Sequence, residues 1–351
     1  MNANDTRTRL IEFDILRISA IFAVVFLHIA AEGWWVDCPT IDWEIRNVYE
    51  SAVRWSVPIF VMISGALFLN PSKKITIEKL YRKNILRIIL AYLLWATIYQ
   101  LYELRNSDFA IKGFVSGIIN GCYHLWFLKM LIGLYIAIPI LRIVVSNKQI
   151  EQYFLIVALF TSSILPFLIH MTGEVNHGLQ VVLQTNYEKL SIDTAAGFSG
   201  YFVLGHYLST YGIDKRYKNI IIIGAFSCYL TVVILTSLMF HLSGVMTESF
   251  YVYLTPFTLI EAFAIFSIVT IRKHPKLSEK CKTRIVKISN LCFGIYLVHI
   301  LVIRILSDYL GLASTCFNAS ISVPLFAVLV FTISCGVTWI LRKIPYSKYF
   351  L

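Results

Sequence analysis

Charge is scarce in this chain. Asp, Glu, Lys and Arg make up 15% of its 351 residues, against about 25% in a soluble globular domain. Gly-x-Ser-x-Gly, a Walker-type loop, Cys-x-x-Cys, His-x-x-x-His and paired Asp motifs are all missing. Neither a nucleotide hydrolase nor a zinc enzyme is indicated, and no metal is expected. There is no internal repeat, low-complexity tract or Pro-rich linker. The seven cysteines, at 38, 122, 228, 281, 292, 316 and 335, form no motif. Cys38, Cys122 and Cys316 fall near one face, where a disulfide is conceivable. An odd number of scattered thiols more often means ordinary buried cysteine.

What is present is apolar. Hydrophobic residues make up 58% of the chain and the mean hydropathy is +0.71. A soluble enzyme, a disordered chain and a fibrous protein are excluded together. Apolar runs fall at about 12–32, 53–69, 81–101, 123–145, 152–171, 197–211, 219–241, 251–271, 288–306 and 321–341. A span needs roughly 20 such residues. The runs are continuous rather than alternating, so helices and not barrel strands are expected. The second and sixth runs are short, and either tilts or re-enters. The expected fold is an all-α polytopic membrane protein of about ten transmembrane helices, one integral-membrane domain over 1–351 with no separate soluble domain. The outer segment 172–196 has length enough for a small cap only.

Loop charges set the orientation. One set of alternate loops and tails holds 22 Lys and Arg; the other holds only Arg46, Arg105, Lys112 and Lys189. Basic loops stay on the cytoplasmic side, so both termini are expected there. The net charge of +11 is thereby explained without nucleic acid. The first run is not a cleaved signal peptide, because it is too long and contains Arg17 and His28.

Ionisable groups inside a span are costly and mark function by default. Arg17 and His28 are eleven residues apart in the first run. At 100° per residue they share one helix face, roughly 16 Å apart along the axis. Asp14 sits one turn before Arg17 and can pair with it. The plainer readings are an arginine snorkelling to the inner interface and a hydrogen-bonded interior histidine. Arg54 opens the second run, Pro58 suggests a kink there, and Ser64-Gly65 allows close helix approach. His124, Trp126 and Lys129 open the fourth run. Trp126 also suits an interfacial belt, while Lys129 lies too deep for an anchor. Glu261 sits within the eighth run, with Lys129 or Arg17 as its expected partner. His299 and Arg304 lie in the outer half of the ninth. His206 and His241 are near span ends and unremarkable.

The spacing Arg17 to His28 after Asp14 carries a resemblance, together with Arg54-Trp55-Ser56-Val57-Pro58-Ile59-Phe60 through Ser64-Gly65 and His124-Leu125-Trp126-Phe127-Leu128 leading to Pro139. The segment Gly294-Ile295-Tyr296-Leu297-Val298-His299 adds to it. Over nearly its whole length the chain resembles the integral-membrane acyltransferase family 3, and most of all the enterobacterial common antigen O-acetyltransferase type. The resemblance implies transfer of acetyl from cytoplasmic acetyl-CoA to a sugar hydroxyl of a surface polysaccharide or lipid-linked glycan. It also implies that His28 and Arg17 are the essential pair.

The chemistry of the residues is compatible with that. His28 suits a general base, or a carrier of the acyl group. Arg17 suits the phosphate-bearing part of the donor or a partner carboxylate. Arg54, His124 and Lys129 are expected on the acceptor side or at a developing oxyanion, with Asp14, Ser64, Trp126, Glu261 and His299 as further substrate-binding candidates. Lys73, Lys74, Arg272 and Lys273 in the inner loops are expected to hold CoA phosphates. Two other classes fit the same features: a glycan or small-molecule transporter or flippase, and an O-succinyltransferase of the same family. A sensory or scaffold protein fits less well, because it needs no Arg17 and His28 on one face.

Overall fold

The computed structural model describes residues 10–106, 110–173, 176–190, 197–271, 277–347 and 350–351. Among these every regular element is helical. In lipid every backbone N–H and C=O needs a partner inside its own segment, and a helix provides one. Eight helices are long and apolar enough to cross a membrane, so the protein is a polytopic membrane protein. The expectation of about ten spans is met in part. All ten apolar runs are helical, but the sixth forms a helix of 15 residues and the eighth an apolar helix of 16.

Helix α1 (Ile11–Ala30) is the centre of the bundle. Of its apolar window 61% is buried, against 11% for Lys215–Ser243 at the periphery. Small residues let neighbours close on it: Ala20, Ala23 and Ala30 are all buried. Its last carbonyls would otherwise be orphaned. Arg46, on α2 (Ile41–Ser51), donates to the Ile29 and Ala30 oxygens at 3.3 and 3.2 Å and to Ser314 O at 2.7 Å. Ser314 Oγ donates to the same Ile29 oxygen at 2.9 Å. Gly33 lies against this guanidinium; a Cβ there would come within 2.6 Å of it. The end of α1 that carries His28 is thus clamped from two sides.

Helix α3 (Ser56–Phe68) follows a turn at 52–55. The expected irregularity lies in that turn, and Pro58 sits in the first turn of α3, where a missing N–H is tolerated. Helix α4 (Ile77–Glu103) contains a π-helical stretch, Leu80–Ile85. Then come α5 (Ile111–Asn120), α6 (Trp126–Val144), α7 (Lys148–Gly173) and the cap helix α8 (His177–Leu190). Helix α7 also holds a π-helical stretch, Phe160–Ile164.

The sixth apolar run is α9 (Gly197–Tyr211), and it is deeply embedded. It crosses α3 so closely that a Cβ on Gly65 would lie 1.7 Å from the Phe202 oxygen, and one on Gly205 would lie 2.0 Å from the Met62 oxygen. Small residues at a crossing let two backbones meet. His206, expected to be unremarkable, pairs with buried Glu151 of α7 at 2.8 Å. The rest are α10 (Lys218–Ser243), α11 (Pro256–Ile271), α12 (Glu279–Ser289), α13 (Cys292–Leu310) and α14 (Ala319–Leu341). All seven cysteines are free thiols. No two of Cys38, Cys122 and Cys316 are joined.

Candidate functional site

Two polar centres lie along α1. The first is a cavity of about 480 Å³ at its N-terminal end. Arg17, Arg87 and Arg342 line it, with Ser64, Asn84, Asn290 and Tyr135. Asp14 is fully buried and accepts from Arg17 at 3.2 Å and from Ser289 Oγ at 2.6 Å. It orients the Arg17 guanidinium and is not itself among the lining residues. Ser64 turns its hydroxyl back to Phe60 O at 2.9 Å. Arg87 also donates to the Leu351 oxygen, and Arg342 to Asn290 O at 2.8 Å. Three guanidiniums around one space favour a ligand with several negative charges.

The second centre is a cluster of imidazoles at the C-terminal end of α1. The His28 ring lies 5.2 Å from His299 and 5.4 Å from Tyr123. His124 lies 5.3 Å from His299 and 5.0 Å from Tyr99. The residues at 28, 124 and 299 come from three separate runs of the sequence, and the fold brings them together. His299 Nδ1 faces the Tyr296 oxygen at 2.7 Å. A carbonyl only accepts, so Nδ1 carries the hydrogen and Nε2 carries the lone pair. That Nε2 and both ring nitrogens of His124 are buried without a hydrogen-bond partner among the described residues. An unpaired buried polar atom costs about 1–3 kcal/mol, and three together mark a place built for something other than packing.

Tyr296 and Phe127 connect the two centres. Both line the arginine cavity. The Tyr296 ring lies 5.6 Å from His124 and 5.5 Å from Phe127, and its hydroxyl donates to the His124 carbonyl. The cavity wall therefore meets the cluster at His124 and His299, and His28, which does not line the cavity, contacts His299 and Tyr123. Arg17 lines the cavity and His28 belongs to the imidazole cluster, at opposite ends of α1.

A family model described as an acyltransferase domain, acyltransferase family 3, matches residues 10–343. The chain belongs to this family. No curated protein and no solved structure matches it. Both polar centres of this membrane acyltransferase lie within the matched region.

The remaining expected residues are scattered. Lys129 is not in the cavity: its ammonium donates to Ile119 O and Asn120 O at 2.9 Å each, where a cation meets the C-terminal end of α5. Glu261 does not pair with Lys129 or Arg17, both of which are engaged elsewhere. It is buried beside Trp55 and Tyr229. Arg54 pairs with Glu50 and lies over the Tyr251 ring at 4.4 Å. Trp126 stacks on Tyr253 at 5.6 Å and touches Phe198. Lys73 and Lys74 lie outside the arginine cavity, and the Lys73 backbone oxygen accepts from Arg142 at 2.7 Å. Arg272 and Lys273 lie outside the described residues. In their place the acyltransferase brings Arg87 and Arg342 to Arg17. A charge inside the run 81–101 was the available signal for Arg87; nothing local distinguishes Arg342 from other tail charges.

Proposed function

We propose that this acyltransferase moves an acetyl group from acetyl-CoA to a sugar hydroxyl of a cell-surface glycan. The observation that carries the reading is the pairing of a three-arginine cavity with a cluster of unpaired imidazole nitrogens, one aromatic layer apart. Coenzyme A is a polyanion joined to a long neutral arm that ends in the thioester. The arginines suit its phosphates. The arm then has roughly 16 Å of membrane depth to cover from Arg17 to His28.

At the cluster His28 takes the proton of the sugar hydroxyl as general base. The hydroxyl oxygen forms the new C–O bond to the thioester carbonyl, and the C–S bond breaks. The proton passes from His28 to the departing sulfur, giving the ester and free CoA thiol. His124 and His299 flank the same point and suit the developing oxyanion or the orientation of His28. Asp14 keeps Arg17 turned into the cavity. The charge asymmetry of the loops favours the arginine end facing the cytoplasm, where the donor is made.

Titration of purified protein in lipid nanodiscs with acetyl-CoA tests the donor site. Each of Arg17→Ala, Arg87→Ala and Arg342→Ala removes charge-assisted bonds of about 1.5–3 kcal/mol. Affinity for acetyl-CoA is expected to fall about 10- to 100-fold in each. Unchanged affinity in all three would remove the cavity as the donor site.

A further inference from the structure

A pair of further cavities lies away from the arginines. One, of about 650 Å³, is bounded by the π-helical stretch of α7, by Tyr187 of the cap helix and by 248–255. The other, of about 200 Å³, runs beside it among Leu155, Leu159, Leu204 and Phe263. They share Ser162, Ser163, Gly197 and Leu254. The larger carries polar groups: His170, whose Nε2 meets Ser249 Oγ at 2.6 Å, and Glu248. Among the described residues no lysine or arginine lines either.

Two serines stand where the cavities meet. A serine or threonine inside a helix ordinarily bonds back to the carbonyl four residues earlier. Thr161 does so, to Val157 O at 2.8 Å. Ser162 and Ser163 do not: both hydroxyls are buried at 8% and 2% exposure and have no partner among the described residues. They lie in the π-helical stretch, a distortion that costs helix stability and recurs at functional sites. The arrangement suits an amphiphile, with an apolar chain in the small slot, an uncharged hydroxyl-rich head in the large cavity, and the serines at the junction. The absence of cations from the lining disfavours an anionic head. An aromatic series leads from here to the imidazoles: Tyr201 of the slot donates to Tyr253 O at 2.6 Å, Tyr253 stacks on Trp126, and Trp126 is two residues from His124.

We propose that these joined cavities are the acceptor site and that the acceptor is a glycolipid, held by its hydrocarbon chain and by a neutral sugar head. This rests on the glycan-acylating reading above. It narrows the acceptor to a membrane-anchored saccharide rather than free polymer.

The probe is an alkyl glucoside carrying a diazirine in its chain, added to the full protein in nanodiscs and photolysed. Labelling is expected on α7, α9 and α11 around the slot. Unmodified alkyl glucoside should compete; phosphatidylglycerol and free glucose should not. Ser163→Leu fills the junction and is expected to lower labelling more than tenfold, while Ser163→Ala, which removes one uncharged hydrogen-bonding partner and adds no bulk, is expected to lower it only about threefold. Circular dichroism melting of each variant separates this from misfolding, and the competition arms stand on the wild type alone. Equal competition by phosphatidylglycerol, or labels spread over all outward-facing helices, would make the slot ordinary lipid contact and overturn the proposal. Competition by free glucose alone would overturn the glycolipid in favour of a soluble acceptor. Specific labelling without any acyl transfer from acetyl-CoA would leave the site standing and count against the acetyl-transfer reading instead.

Discussion

In the proposed reaction His28 works only if its ring is held still, and the residues that hold its end of α1 lie in other parts of the chain. Arg46 is the clearest of them. It closes the carbonyl end of α1 two residues beyond the imidazole, and its guanidinium is buried. Arg46→Ala removes the guanidinium's bonds to the Ile29, Ala30 and Ser314 oxygens in a dry environment and leaves Ser314 Oγ to hold the Ile29 oxygen. Bonds to charged groups are worth about 1.5–3 kcal/mol, so a drop in the thermal midpoint of the purified protein is expected, with transfer rate reduced more than acetyl-CoA affinity. Tyr296→Phe is milder. It keeps the ring that separates cavity from cluster and loses one bond to the His124 carbonyl, about 1 kcal/mol. Acetyl-CoA titration should be near wild type and turnover lower. Arg17, His28, His124 and His299 are legible in the sequence because lipid makes each of them costly. Arg46 is not, because on a linear reading it is one cation of a sparse outer loop. Its partners lie at 29, 30 and 314.

At the level of the element, the crossing of α3 and α9 sets the shape of the bundle beside the arginine cavity. Ser64 lines that cavity and Gly65 makes the crossing. Gly65→Ala would drive a methyl into a backbone oxygen, which no rotamer relieves. Overpacking of a well-packed site costs about 1–3 kcal/mol and can cost more. A lower melting temperature in detergent is expected for Gly65→Ala and for Gly205→Ala, whereas Gly224→Ala, with open space around it, should melt like the wild type. Helix positions are legible in the sequence, because a run of apolar residues long enough to span admits little else. The π-helical stretches at 80–85 and 160–164 are not, since no residue type marks them. Nor did the weak sixth run reveal its role. Its glycines, which lower its helical and apolar character, are the reason it can pack against α3.

For the whole molecule, the loop charges predict an orientation that thiols can report. Cys38 and Cys316 are exposed on the side of the His28 end, and Cys281 is half-buried in the basic segment before α13. A membrane-impermeant maleimide should label Cys38 and Cys316 in intact cells, and Cys281 only after permeabilisation. The reverse pattern would place the arginine cavity away from the cytoplasmic donor. The assembly of the arginine cavity, the proposed donor site, was only partly legible. The expected phosphate ligands were basic loops, while the fold closes its cavity with Arg87 and Arg342 from helices far apart in sequence. Lys73 and Lys74 lie outside it.

The account depends most on His28 being the group that handles the proton at the point of transfer. The direct test is single-turnover transfer of labelled acetyl from bound acetyl-CoA to the glycan in nanodiscs, comparing the wild type with His28→Ala. General base catalysis contributes about 10²- to 10⁴-fold. A loss of that size with acetyl-CoA affinity unchanged is the expected result. Transfer at the wild-type rate in the variant would contradict the account.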